Sequence, residues 1–163
     1  MKNKDKVYAF IDSQNLHLGV LNSGWDLDYS KFLTYLKTKY DVSRAYLFIG
    51  FVPENTSLYR TLQEYGYVLI FKPVLKIKKG KLTTYKGNVN AELVLHAMIE
   101  FPNYQKAIIV SGDGDFLCLI DYLESQNKLL KVMIPNDKYS TLLRKFARFI
   151  IPINLLKEKL EKK

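Results

Sequence analysis

The chain is expected to fold as an α/β protein, a three-layer α/β/α domain around a mainly parallel sheet. Three observations lead there. Short runs rich in Val, Ile, Phe and Tyr alternate with stretches of helical apolar spacing along nearly the whole sequence. Strands that alternate with helices pack as parallel neighbours, with the helices crossing over both faces. The 163 residues carry no internal repeat, low-complexity tract or linker, so one domain over 1–163 is expected, with a core of about 5–152 and a helical tail at 153–163.

The elements follow in order. KVYAFID (6–12) is a buried strand, and SQNLHLGVL starts a helix after it. YSKFLTYLKTKY (29–40) has helical spacing at Phe32, Leu33, Leu36 and Tyr40. RAYLFIGF (44–51) is the second strand, SLYRTLQEYG (57–66) a helix closed by Gly66, and YVLIFK (67–72) the third strand. VLKIKKGKLTTY has two alternating arms around Lys79-Gly80, the pattern of an inserted β-hairpin. Asn88 to Glu100 is a helix packed through Val89, Leu93 and Ala97, and KAIIVSG (106–112) is a strand. DFLCLIDYLESQ is a helix, LLKVMIP (129–135) a strand, and a short helix from Ser140 to Ala147 leads into a last strand, RFIIPI. NLLKEKLEKK then reads as an amphipathic helix with a frayed, solvated end.

Composition narrows the function classes. One cysteine, Cys118, rules out an internal disulfide and points to a reducing, cytoplasmic setting. Its place in the apolar run FLCLIDYL reads as a packed small hydrophobe, not a nucleophile. MKNKDKVYAFID enters a strand pattern at once, with no signal-peptide core. No apolar run approaches the roughly 20 residues of a membrane span, so no membrane partner is expected. A net charge of +9 favours a polyanion, nucleic acid ahead of an anionic surface.

In doubly wound sheets, sites form beyond the carboxyl ends of the strands where the winding direction switches. The first strand ends in Ile11-Asp12, and KAIIV ends in Ser111-Gly112-Asp113-Gly114-Asp115. If these strands are neighbours, Asp12, Asp113 and Asp115 converge. Packed carboxylates repel unless a cation lies between them, and Mg²⁺ or Mn²⁺ is the usual one. Gly112 and Gly114 would allow a tight turn and leave room for a ligand. The plainer alternative is that Asp113 and Asp115 only cap the next helix.

AFIDSQNL, KGNVNAELVLHAM and IIVSGDGDFLCLI, in that order and spacing, resemble the NYN domain family, and more narrowly its LabA-like (DUF88) branch among relatives of the PIN nucleases. The resemblance covers about residues 5–152. It implies a PIN-like, Rossmann-like fold and a divalent-metal-dependent ribonuclease site holding Asp12, Asn15, Asp113 and Asp115. The family's middle motif reads KG, a short gap, Asp, and a second Asp six residues on. This chain has Asn90 and His96 in those places. Glu92 is a nearby acid that either faces the site or complements the helix dipole. His96 either ligates or shuttles a proton, or is structural. His17 rims the pocket at most.

The chemistry that follows needs no nucleophilic side chain: carboxylate-held metal, a phosphate, and Asn15 and Ser111 as hydrogen-bonding supports. No Ser-His-Asp pattern or P-loop is present. RNA, single-stranded or structured, is the expected partner, and a homodimer is left open. Its grip is expected from the hairpin lysines Lys72, Lys76, Lys78, Lys79, Lys81 and Lys86, with no acid among them, and Phe71 and Tyr85 as stacking faces. Lys138, Arg144, Lys145 and Arg148 form a second basic group. The alternative for the hairpin is a solvated edge kept from aggregating by its charge. Two other functions compete with the ribonuclease: a catalytically impaired RNA- or nucleotide-binding module, and a structural domain with a vestigial acidic pocket.

Overall fold

The computed structural model describes residues 5–163, apart from the side chain of Lys86, so the RNA contact expected of that lysine lies outside the described residues. Six parallel strands form one sheet: β1 (Val7–Asp12), β2 (Val42–Phe51), β3 (Val68–Pro73), β6 (Lys106–Val110), β7 (Leu129–Ile134) and β8 (Ile150–Pro152). Their order is β3-β2-β1-β6-β7-β8. The chain winds outward from β1 to β3, returns, and winds the other way from β6. The switch point therefore lies between β1 and β6, the two strands whose ends carry the acidic motifs.

Two apolar layers sandwich that sheet. Every residue of β1 is buried, and the pleat sends alternate side chains to opposite faces. Val7, Ala9 and Ile11 join Leu16 and Val20 of α1 (Ser13–Asn22), Phe32 and Leu36 of α2 (Tyr29–Tyr40), and Leu62 of α3 (Thr56–Tyr65). Tyr8 and Phe10 join Leu93 and Ala97 of α4 (Asn90–Ile99), and Leu119, Ile120 and Leu123 of α5 (Leu117–Ser125). Phe10, fully buried, stacks on Tyr46 with ring centroids 5.4 Å apart. Truncating such a ring costs about 3–5 kcal/mol, so β1 is rigidly seated where it ends in Asp12.

Between β3 and α4 the chain makes the hairpin β4 (Leu75–Lys79) and β5 (Leu82–Lys86), a separate two-stranded sheet. Gly80 takes φ 62° as the first of two loop residues, a conformation glycine adopts without penalty. Gly66 closes α3 at φ 117°, as its position after the helix predicts.

Four expectations give way. Thr141–Phe149 forms 3₁₀ turns, not an α-helix, and the last strand shrinks to Ile150–Pro152. The tail is not frayed: a 3₁₀ turn (Ile153–Leu156) and a short α6 (Lys157–Leu160) bury Ile153 and Leu160. The backbone N–H of Asp28 donates to the Leu160 carbonyl at 2.8 Å, and that of Lys162 to the Asp26 carbonyl at 3.0 Å, closing this end onto the first core layer. Cys118 is exposed, because α5 buries the stripe Leu119, Ile120 and Leu123 and turns position 118 outward. No helix among the described residues is long and apolar enough to cross a membrane.

Candidate active site

Asp12 is the last residue of β1 and the N-cap of α1, so one carboxylate belongs to both elements. Its Oδ1 accepts from the backbone N–H of Asn15 at 3.2 Å, a standard capping bond. Its Oδ2 accepts from the Ser111 hydroxyl at 3.2 Å, across the switch point. β1 and β6 pair up to Ile11↔Val110, which brings Asp12 and Ser111 level at the strand ends. Only 5% of Asp12 is exposed. Burial raises its pKa above the usual carboxylate value; the bonds from Asn15 and Ser111 oppose the rise, and the charge of Asp113 adds to it.

Ser111 is a relay of position. Its hydroxyl oxygen also accepts from the backbone N–H of Asp113 at 3.1 Å, linking the two acidic motifs through one buried atom. Asn15 contributes through its backbone and through Oδ1, which accepts from the Gly112 N–H at 2.9 Å. It fastens the β1 and β6 ends together. Asp113 in turn caps the next turn, accepting from the Asp115 N–H at 2.9 Å. The capping reading of Asp113 is therefore correct, and it does not exclude the site reading: one oxygen caps while the other stays free of backbone bonds.

That second oxygen meets α4. The Asn90 side-chain amide donates to Asp115 Oδ2 at 2.9 Å and to Asp113 Oδ2 at 3.2 Å. Asn90 reaches this place because Asn88 Oδ1 accepts from its backbone N–H at 3.1 Å, turning the chain into the first turn of α4. Three segments thus meet at the switch point, joined by hydrogen bonds from Asp12 through Ser111 to Asp113, and from there through Asn90 to Asp115.

The same arrangement of motifs is what a family comparison finds. The model of the NYN domain matches residues 6–156. This chain belongs to the NYN domain family. Members of that family are generally nucleases and typically use divalent metals. The chain is similar to the "Low amplitude and bright protein LabA" of Synechococcus elongatus, at 24% identity over 96% of this chain and 88% of that protein. A crystal structure of a Vibrio parahaemolyticus protein of unknown function superposes with a TM-score of 0.76 at 25% identity, covering 98% of this chain and 99% of that one. The LabA-like resemblance read from the three motifs is thereby borne out.

In this NYN domain the three carboxylates stand as linked pairs, not one cluster. Among the described residues no three His, Cys, Asp or Glu side chains close on a common point. The donor set still suits a hard cation. It is all oxygen, Asp12 is buried with an acidic neighbour, and among the described residues the side-chain donor between Asp113 and Asp115 is a neutral amide. Mg²⁺ itself usually takes one or two carboxylates and keeps its waters for the substrate.

A cleft of about 310 Å³ opens on this site, lined by Asp12, Asn15, Asn90 and Asp113 from the motifs. Three of its other walls escaped the sequence reading: Gln14, Asn88, and Pro135 and Asn136 in the turn after β7, of which only Lys138 is named from sequence, in the second basic group. The turn follows the next strand end beyond β6, so the switch-point rule could have found it. Gly112 and Gly114 are also explained differently. A Cβ on Gly112 would lie 3.0 Å from Tyr139 Cβ, and one on Gly114 3.0 Å from Ser140 Cβ. The space at each Cβ position is taken by that turn, while Gly112 still lines the cleft.

The remaining candidates sort by partner. Glu92 turns away to pair with Lys72 at 3.3 Å, so it does not stand in for a missing ligand and Lys72 is not an uncompensated cation. His96 lays its ring against Phe48, centroids 5.6 Å apart, the structural alternative. His17 rims a second cleft. Phe71 is held edge-on by Phe51 and Tyr59, while Tyr85 lines the second cleft. Lys145 pairs with Asp121 at 3.1 Å and Arg148 with Glu124 at 2.8 Å. Arg144 is exposed on the same 3₁₀ segment. Lys138 stands at the mouth of the first cleft, and Lys76, Lys78, Lys79 and Lys81 are exposed on the hairpin.

Proposed function

We propose that this NYN domain is a divalent-metal-dependent ribonuclease that hydrolyses RNA phosphodiester bonds, held below its full activity by Asn90. The observation that carries the proposal is the buried Asp12 carboxylate, coupled through Ser111 to Asp113 at the floor of an open cleft. A buried carboxylate whose pKa is raised by its surroundings, facing a cleft, is a feature that active sites share.

Asp12, Asp113 and Asp115 are the residues that would hold Mg²⁺ or Mn²⁺. When bound, such an ion neutralises phosphate charge and lowers the pKa of a water at the reacting phosphorus. The chain's own residues do the positioning. The Asn15 N–H and the Ser111 hydroxyl fix the two oxygens of Asp12. The Asp115 N–H fixes one oxygen of Asp113, and the other accepts from the Asn90 amide, both residues lining the cleft. Lys138, at the cleft mouth, draws a phosphate inward, and the hairpin lysines extend the positive path.

One observation favours a second reading, an impaired RNA- or nucleotide-binding module. The Asn90 amide already supplies hydrogen-bond donors to both Asp113 and Asp115, so part of the work of a cation is done without one. Incubating the protein with labelled single-stranded and structured RNAs in Mn²⁺, in Mg²⁺ and in EDTA separates the two. Cleavage that requires the metal supports the ribonuclease; binding without cleavage in every arm supports the module.

A further inference from the structure

A second cleft, about 470 Å³, lies beside the first and shares Gln14 with it. The wall between them is made of two chain junctions. At the β1–α1 junction Asp12 lines the first cleft and Ser13 the second. At the β5–α4 junction Asn88 and Asn90 line the first, Gly87 and Val89 the second. Anything bound in the second cleft is thus one wall away from the acidic site.

We propose that this second cleft receives a single unpaired nucleobase of the RNA strand whose phosphate occupies the first; the inference rests on the function proposed above. The size falls in the range of small-ligand sites. Val52, Leu58 and Val74 supply apolar walls and Tyr85 an aromatic one. The Tyr85 hydroxyl donates to Glu54 at 3.4 Å, tethering the ring to the segment before α3. Asp26 and Asn55 at the edge offer acceptors for a base's exocyclic amino group.

The hairpin register supplies the rest of the path. Tyr85 pairs across from Lys76, and Lys78 follows on the same face because side chains alternate along a strand. The cleft is therefore flanked on one side by a cation pair for a neighbouring phosphate and on the other by the acidic site. Leu75 and Leu82 fall on the opposite face of the hairpin, 64% and 65% exposed. A base between two phosphate positions is the occupant this order fits.

The test compares two hexanucleotide probes with equal phosphate charge, one carrying bases and one abasic, bound in EDTA and followed by fluorescence anisotropy. Wild-type protein should prefer the base-bearing probe by about tenfold or more. Tyr85→Ala, and Leu58→Trp to fill the cleft, should abolish that preference while leaving affinity for the abasic probe unchanged; Tyr85→Phe should retain it. Both positions are exposed, 39% and 46%, so the fold does not depend on them. Tight binding of both probes with no base preference, or a preference that survives both variants, overturns this inference and leaves nucleic-acid binding intact. Failure of the wild-type protein to bind either probe overturns it together with the proposed function.

Discussion

The side-chain amide of Asn90 donates to the carboxylate of Asp115 at 2.9 Å, and its other contact is Asp113 at 3.2 Å. A neutral group with two hydrogens thus sits between two anions. A carboxylate here, which the resemblance read from the sequence implies for the family's motif, would turn an internally satisfied cluster into one that needs a cation.

Asn90→Asp should therefore act in opposite directions with and without metal. In EDTA the variant loses two donors and gains a like charge, so its melting temperature should fall. With Mn²⁺ the melting temperature should recover, and calorimetry should show metal affinity raised by about tenfold, roughly 1.4 kcal/mol. Identical Mn²⁺ titrations of the two proteins would remove Asn90 from the site.

Asp12 carries a stability signature. Its pKa is raised in the folded protein, chiefly by burial, so the native state binds more protons than the unfolded one above the ordinary value of 3.8. Stability should thus fall as pH rises through the folded-state pKa. Asp12→Asn keeps the cap and removes the buried charge. Measured in EDTA, it should melt higher than wild type at pH 7, with the advantage shrinking as the pH drops toward 4. A lower melting temperature at pH 7 would contradict this account of the buried carboxylate.

The alternation of the sequence was enough to place both acidic motifs at one switch point, because burial of β1 on both faces leaves the strand little freedom. What escaped was set by contacts between distant segments. Glu92 pairs with Lys72 from β3, and Asp121 and Glu124 pair with Lys145 and Arg148 from the 3₁₀ segment before β8. A tally of acids and bases within one segment cannot see such pairs. The tail misled for a similar reason: KEKLEK is polar by composition, yet Leu160 is buried at 1% exposure and backbone bonds with Asp26 and Asp28 hold the segment to the core. Cys118 missed by helical phase, one position off the buried stripe.

The hairpin lysines should now divide into two classes. Lys76 and Lys78 share the face of Tyr85, whereas Lys79 pairs with Leu82 on the other. Each phosphate contact on a single strand contributes about 0.7 to the slope of log affinity against log salt. Replacing Lys76 and Lys78 by Ala should flatten that slope more than replacing Lys79 and Lys81. Equal slopes in both double variants would mean that the hairpin has no binding face.

Gly114→Ala should be costly despite an ordinary backbone angle. The new Cβ would stand 3.0 Å from Ser140 Cβ and 3.1 Å from Leu142 Cδ1. Overpacking of this kind costs about 1–3 kcal/mol. Urea unfolding should report the loss, and cleavage should fall with it, since Asp113 and Asp115 flank the displaced residue. An unchanged urea midpoint would show that the turn yields freely.

The central claim is that Asp12, Asp113 and Asp115 serve a metal-dependent cleavage of RNA. Single-turnover cleavage of a labelled single-stranded RNA in Mn²⁺, run side by side for wild type, Asp113→Asn and Asn90→Asp, tests it most directly. Wild type should cleave slowly in a reaction that EDTA stops, Asp113→Asn should not cleave, and Asn90→Asp should cleave about tenfold or more faster. Cleavage that survives EDTA, or that proceeds equally in Asp113→Asn, would contradict it.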